Sequence, residues 1–162
     1  MIRPTTLNDQ NALIELATAS RLFESAQTDE LAQMLAEYHQ AIPRSREMWL
    51  TDEVGDRLVS VAYFAPERMT VGTWNLYLIA VHPNNQRQGR GKAMLGHVVN
   101  LLASQGERLL LVETAGTDDF EYVRSFYWSN GFTEEARIRE FYDTGVDKIV
   151  YRKQLVQSAA SR

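Results

Sequence analysis

Between Leu76 and Met94 the chain reads LYLIAVHPNNQRQGRGKAM, with Gln86, Gly89 and Gly91 at the spacing Q-x-x-G-x-G. An apolar run stops at Pro83, a polar loop follows, and an amphipathic helix begins directly behind the glycines. The first turn of a helix leaves backbone N–H groups without internal partners, and the macrodipole places partial positive charge there. Glycine lets an anion approach those donors closely, so the segment reads as a phosphate cradle. Arg87, Arg90 and Lys92 add side-chain charge of the matching sign. The chemistry expected is the binding of a phosphate-bearing cofactor.

Two other phosphate loops fit badly. A dinucleotide fingerprint needs a third glycine and an acid about 20 residues further on, and neither is in place. A P-loop needs Gly-Lys followed by Ser or Thr, which is absent. The bland alternative is a pair of glycines that only turn the chain, in a domain that binds a partner. Glycine at a helix front costs up to about 1 kcal/mol relative to alanine, which argues for a use.

The totals narrow the field. The 162 residues fit one domain, expected over 1–155, with a frayed tail at 156–162. A net charge of -4 argues against general nucleic-acid binding, which requires a basic face. The chain has no cysteine, which excludes disulfides, thiolate metal sites and a cysteine nucleophile. His39, His82 and His97 lack metal-ligand spacing, so no metal is expected. No signal-peptide core or membrane-length segment is visible, and a cytoplasmic protein without membrane association is the expectation.

The elements that must position the loop follow from periodicity. Met1–Pro4 is a short strand, and Thr6 or Asn8 caps a helix with Leu13, Leu16 and Ala17 on its apolar face. Thr28 is expected to cap a second helix carrying Leu31, Met34, Leu35 and Tyr38, broken at Pro43. Glu47–Thr51 and Leu58–Ala65 read as a hairpin around residues 52–56, and Gly72–Val81 as a nearly continuous apolar strand. The helix behind the glycines buries Met94, Leu95, Val98, Leu101 and Leu102 and ends near Gly106. A right-handed crossover sets the strand Arg108–Thr114 parallel to the one before the loop. Asp118 or Asp119 is expected to cap a helix with Phe120, Val123, Phe126 and Tyr127 facing inward. Ile138–Tyr142 and Val146–Arg152 close the chain as a hairpin. The order is β-α-α-β-β-β-α-β-α-β-β, a mixed α/β sheet with helices on both sides.

Gln86-x-x-Gly89-x-Gly91 behind the strand LYLIAVHP resembles the acyl-CoA signature of the GNAT superfamily of N-acetyltransferases, Q/R-x-x-G-x-G/A. Phe126-Tyr127-Trp128-Ser129-Asn130-Gly131-Phe132 is similar to that family's F/L-Y-x-x-x-G-F. Each motif alone is modest; both together, each on the right kind of element, make a specific match over Trp74–Phe132. The fold implied is a central mixed, mostly antiparallel sheet with a splayed parallel strand pair and helices on both faces.

The resemblance implies acetyl transfer from acetyl-CoA, as cosubstrate, to an amine by direct attack in a ternary complex. Ile79, Ala80 and Val81 would meet the pantetheine arm through their backbone, as an added strand would. The N–H groups of Gln86, Arg87, Gln88, Gly89, Arg90 and Gly91 would hold the pyrophosphate, with Arg87, Arg90 and Lys92 free to reach phosphate oxygens. Tyr127 stands at the family's proton-donating tyrosine. The glutamate that many members carry on the strand before the loop is missing, since that strand offers Asn75 and Tyr77. Glu113, at the carboxyl end of the next parallel strand, is the acid expected to serve as base. The family's asparagine at the last helix start is replaced by Phe120 or Glu121, and Glu24 is a candidate acceptor contact. Glu113, Asp118, Asp119 and Glu121 would suit a cationic acceptor, a small molecule or a protein. The missing strand glutamate keeps a second reading open, a CoA-binding sensor module without chemistry. Dimers are common in the family, so a homodimer is allowed.

Overall fold

The computed structural model describes residues 1–20, 25–40 and 46–155. Glu24, Pro43 and the tail at 156–162 lie outside the described residues. The observed elements follow the expected order. They are β1 (Ile2–Pro4), α1 (Gln10–Ala19), α2 (Ser25–Gln40), β2 (Met48–Val54), β3 (Arg57–Pro66), β4 (Thr73–Val81), α3 (Arg90–Ser104), β5 (Leu109–Ala115), α4 (Glu121–Ser129), β6 (Thr133–Asp143) and β7 (Val146–Gln154). Seven strands run in the order β1-β2-β3-β4-β5-β7-β6, and β4 with β5 is the parallel pair. By contacts the chain divides into two compact units, Met1–Ala65 with Leu78–Val98, and Pro66–Tyr77 with Val99–Arg162.

In the first unit α1 and α2 bury Leu13, Leu16, Leu31 and Leu35 with Trp49, Val61 and Leu78. Apolar side chains at helical and at alternate-strand spacing meet there, which is the burial the periodicity requires. Trp49 stacks on Tyr63 with ring centroids 4.4 Å apart, a packing role. Arg3 staples the entry to this core: its Nη1 and Nη2 donate to Asp9 at 2.8 and 3.0 Å, and its Nε to Glu53 at 2.7 Å. Thr6 closes the loop by donating its N–H to Asp9 Oδ2 at 2.7 Å. The Arg3 hydrogen bonds hold the Asp9 carboxyl down at about 2.

Several boundaries differ from expectation. α2 begins at Ser25, so Thr28 lies inside it rather than capping it; no glycine or proline stands between them to stop the helix. The β2–β3 hairpin is tighter than residues 52–56 implied, with only Gly55 and Asp56 outside the strands and Gly55 at φ +61. Asp52 belongs to β2 because its buried carboxylate accepts from the Met1 ammonium at 2.9 Å and from Arg90 Nη1 at 3.1 Å. A strand position is tolerable for such a charge once it is paired.

In the second unit β5 pairs with β7 over its whole length, Leu109↔Gln154 to Ala115↔Lys148. Neither Asp118 nor Asp119 caps α4. Both fall in a 3-10 turn, Asp118–Phe120, and Phe120 takes the cap position without a side-chain bond. The loop is held instead by Arg124 Nη1, which donates to Ala115 O at 2.8 Å and Thr117 O at 2.7 Å. β6 starts at Thr133, five residues before the expected Ile138, and lies exposed at the sheet edge along its whole length. Its charged opening, Thr133-Glu134-Glu135, carries no apolar alternation to announce a strand. The β6–β7 ladder shifts register between Ile138 and Asp143, where Glu140 takes φ +50.

Candidate active site

The glycine loop belongs to the first unit. His82 closes β4 by donating its N–H to Val59 O at 2.9 Å, and its Nδ1 accepts from Asn84 N at 3.2 Å, a turn-making role. Gln86 Nε2 then donates to Val81 O at 3.1 Å and Gln86 N to Pro83 O at 3.3 Å, which pins the loop to the strand end. Arg87 and Gly89 both have positive φ, +58 and +77. Alternation of such conformations turns successive N–H groups toward one side and makes an anion-binding concavity. The first bond of α3 is Ala93 N to Gly89 O at 2.9 Å, so the donors before it have no acceptor within the helix. A Cβ built at Gly89 meets no atom within 4 Å. The concavity is therefore open at Gly89, and its donors are of the kind a phosphate group accepts from.

The three cations of the loop are not equivalent. Arg90 is committed to the buried Asp52 of β2, whereas Arg87 and Lys92 are exposed and unpaired among the described residues. Ile79 and Val81 are half-buried and Ala80 is buried. The parallel register with β5 runs from Thr73↔Leu109 to Leu76↔Val112, while β4 itself continues to Val81. Strand backbone beyond the end of a ladder is open to pairing with a ligand.

The titratable cluster belongs to the second unit. Glu113, partly exposed on β5, accepts from Lys148 Nζ at 2.7 Å. Lys148 also lies 3.7 Å from the centre of the Phe141 ring, a cation–π contact. Asn75 donates from Nδ2 to Glu113 Oε1 at 3.4 Å and to Glu67 Oε1 at 3.0 Å. Tyr77 OH donates to that same Glu67 oxygen at 3.1 Å. Partial burial, then the Glu67 hydrogen bond and charge, push the Tyr77 phenol up to about 12. The Tyr142 phenol is also raised, by burial first and by the charge of Glu113 second.

Tyr127 sits on α4 in an aromatic nest, 5.3 Å from Phe126, 5.5 Å from Phe132 and 6.2 Å from Tyr151 between ring centres. Burial alone pushes its phenol well above the ordinary tyrosine value. It is therefore protonated throughout the neutral range, as a hydrogen donor must be. Asp118, Asp119 and Glu121 are exposed on and before the first turn of α4. Trp128 is exposed and His97 lies exposed on α3. Sequence reasoning missed Glu67 and Lys148. Neither belongs to a motif, and only the pairing of β5 with β7 and the turn after β3 bring them to Glu113 and Asn75.

A family model described as an acetyltransferase (GNAT) domain matches residues 44–134, more than half of the chain. The chain belongs to the GNAT acetyltransferase family. It is thus an acyltransferase that moves an acetyl group to an amine. The curated [ribosomal protein bS18]-alanine N-acetyltransferase of Escherichia coli strain K12 is 29% identical over 128 residues, covering 71% of this chain and 84% of that one. A crystal structure assigned to the GNAT family, from Desulfovibrio desulfuricans, superposes with a TM-score of 0.90 at 29% identity, covering 96% of this chain and 99% of the other. The PaiA N-acetyltransferase of Thermoplasma acidophilum, solved with coenzyme A, has a TM-score of 0.72 at 17% identity over 95% and 98% of the two chains, a likeness of fold. The GNAT expectation for the sheet holds: seven strands, mostly antiparallel, with one parallel pair. Among the described residues no group of three or more metal-ligating side chains is placed to hold a metal, and no helix is long and apolar enough to cross a membrane.

Proposed function

We propose that this GNAT protein transfers the acetyl group of acetyl-CoA to a primary amine, on a small molecule or a protein, by direct attack in a ternary complex. The observation that carries the reading is the open cradle at Gly89, where positive φ, helix-start donors and empty space coincide. When bound, acetyl-CoA supplies a thioester activated toward amines. The N–H groups of Arg87 to Gly91 hold the pyrophosphate, Arg87 and Lys92 add charge, and the backbone of Ile79, Ala80 and Val81 aligns the pantetheine amides. Arg90 acts at one remove by fixing the helix start to Asp52, and the Gln86 side chain fixes the loop to Val81.

Glu113 takes the proton that the acceptor nitrogen must lose before it can attack. Backbone N–H groups of β4 offer donors to the oxygen on which negative charge develops. Tyr127 gives a proton to the departing sulfur. Its raised pKa favours the neutral phenol as donor and makes any phenolate short-lived. The absence of cysteine leaves no thiol for an acyl-enzyme, consistent with direct attack.

The acceptor class is read from the relative that acetylates an alanine of a ribosomal protein, and from the acidic groups of the second unit. A peptide beginning with alanine is therefore the first acceptor to try, followed by polyamines, aminoglycosides and amino acids. Purified protein, acetyl-CoA and this panel, read by mass, are expected to give a product heavier by one acetyl group. No product from any amine, or a melting curve unchanged by excess acetyl-CoA, would overturn the reading.

A further inference from the structure

Within the second unit, one buried amide serves two carboxylates. Asn75 is 2% exposed, and its Nδ2 reaches Glu67 Oε1 and Glu113 Oε1. The amide cannot be turned around, because its oxygen would then face two anions. Oδ1 is consequently buried with no hydrogen-bond donor. An unsatisfied buried acceptor is costly and calls for a partner that arrives later or for a functional reason.

The two carboxylates differ in charge balance. Lys148 neutralises Glu113 at 2.7 Å. Glu67 is half-buried and receives only neutral donors, Asn75 and Tyr77, both on Oε1. Among the described residues no cation pairs with Glu67, and its Oε2 has no protein donor. Neutral donors hold a carboxylate ionised and in place without cancelling its charge. The local set therefore contains one carboxylate without an ion-pair partner and one unmet acceptor, while Lys148 is taken by Glu113 and the charge of Arg68 reaches Tyr77. An alkylammonium carries three N–H donors and no acceptor, which is the complement of this set.

We propose that Glu67, positioned by Asn75 and Tyr77, receives the acceptor as its ammonium ion and so makes the enzyme select cationic amines. This inference rests on the acetyl-transfer reading and adds a residue to it. No bond is made or broken at Glu67; the ion pair orients the nitrogen, and the proton leaves to Glu113.

The test compares two hexapeptides under saturating acetyl-CoA at pH 7. One begins with alanine and presents an ammonium; the other carries an aminooxy group in place of its α-amino group, which is neutral at that pH. Glu67→Gln keeps an oxygen for Asn75 and Tyr77 but removes the charge, and its melting temperature reports whether it folds. Expected is a rise in KM for the alanyl peptide of about tenfold or more, exceeding any fall in kcat, with the aminooxy peptide affected much less. Tyr77→Phe, which leaves the charge, is expected to raise the alanyl KM only a few fold, roughly the value of one neutral hydrogen bond. An unchanged alanyl KM in Glu67→Gln, or equal losses on both peptides, would overturn the assignment while acetyl transfer stands. A wild-type protein that acetylates neither these peptides nor any amine of the panel would overturn the parent reading and this one with it.

Discussion

The glycine loop and the carboxylate cluster solve opposite problems. In the proposed reaction the loop holds a ligand fixed in chemistry, a diphosphate, with main-chain donors set by consecutive residues from Arg87 to Gly91. On the same reading the cluster serves a nitrogen whose protonation must change, with side chains gathered from the turn after β3, from β4, β5 and β7. Backbone donors are few in kind and cannot titrate; carboxylates can be tuned by each neighbour. A binding site for an invariant group is thus local in sequence, whereas the chemistry is assembled from afar.

The strongest way to break this contrast is Gly89→Glu. It forces a side chain onto φ +77 and sets an anion in the open cradle. Acetyl-CoA affinity is expected to fall about 100-fold or more by calorimetry, with the unliganded fold retained; unaltered affinity would mean the loop does not grip the cofactor. On the other side, Glu113→Gln is expected to lower kcat about 100-fold while acetyl-CoA binding persists, measured by steady-state rates and calorimetry. A parallel loss of cofactor affinity would erase the division of labour.

Acid response gives a handle on the first unit. Asp9 is held at about 2 against an ordinary 3.8, chiefly by Arg3. A depressed carboxyl stabilises the fold fully above its unfolded value and loses that contribution as pH falls toward the folded one. Stability of at most about 2 kcal/mol should therefore disappear between roughly pH 4 and pH 2, and Asp9→Asn should remove this segment of the profile in denaturant titrations. Tyr127→Phe is a gentler change than Glu113→Gln, expected to cost about tenfold in kcat with KM nearly constant. Full turnover across pH in that variant would leave the transferase intact and end the proton-donor role.

How much could be read from residues alone follows the same divide. Helices α1 and α3 and strands β4 and β5 were legible because apolar spacing and burial agree, as at Leu13, Leu16, Met94 and Val98. The geometry of the loop was legible because glycines at fixed short intervals mark positive φ and an open helix start, as at Gly89. Glu67 was not, since only the fold sets it beside Asn75. Lys148 was hidden for a related reason: its partner Glu113 lies on β5, and the β5–β7 register joins them. The Arg90–Asp52 pair likewise depends on tertiary placement, and it ties one of the three loop cations to β2. Thr28 and the two aspartates before α4 show that a capping residue type marks the neighbourhood of a helix start, while steric and hydrogen-bond context chooses the residue.

The exposed border strand β6 has a consequence for handling and assembly. Its backbone edge is a template for foreign strands, but the acids and arginines of Thr133–Asp143 and the kink at Glu140 spoil the flat register such growth needs. Fibril-like stacking along that rim is thereby disfavoured.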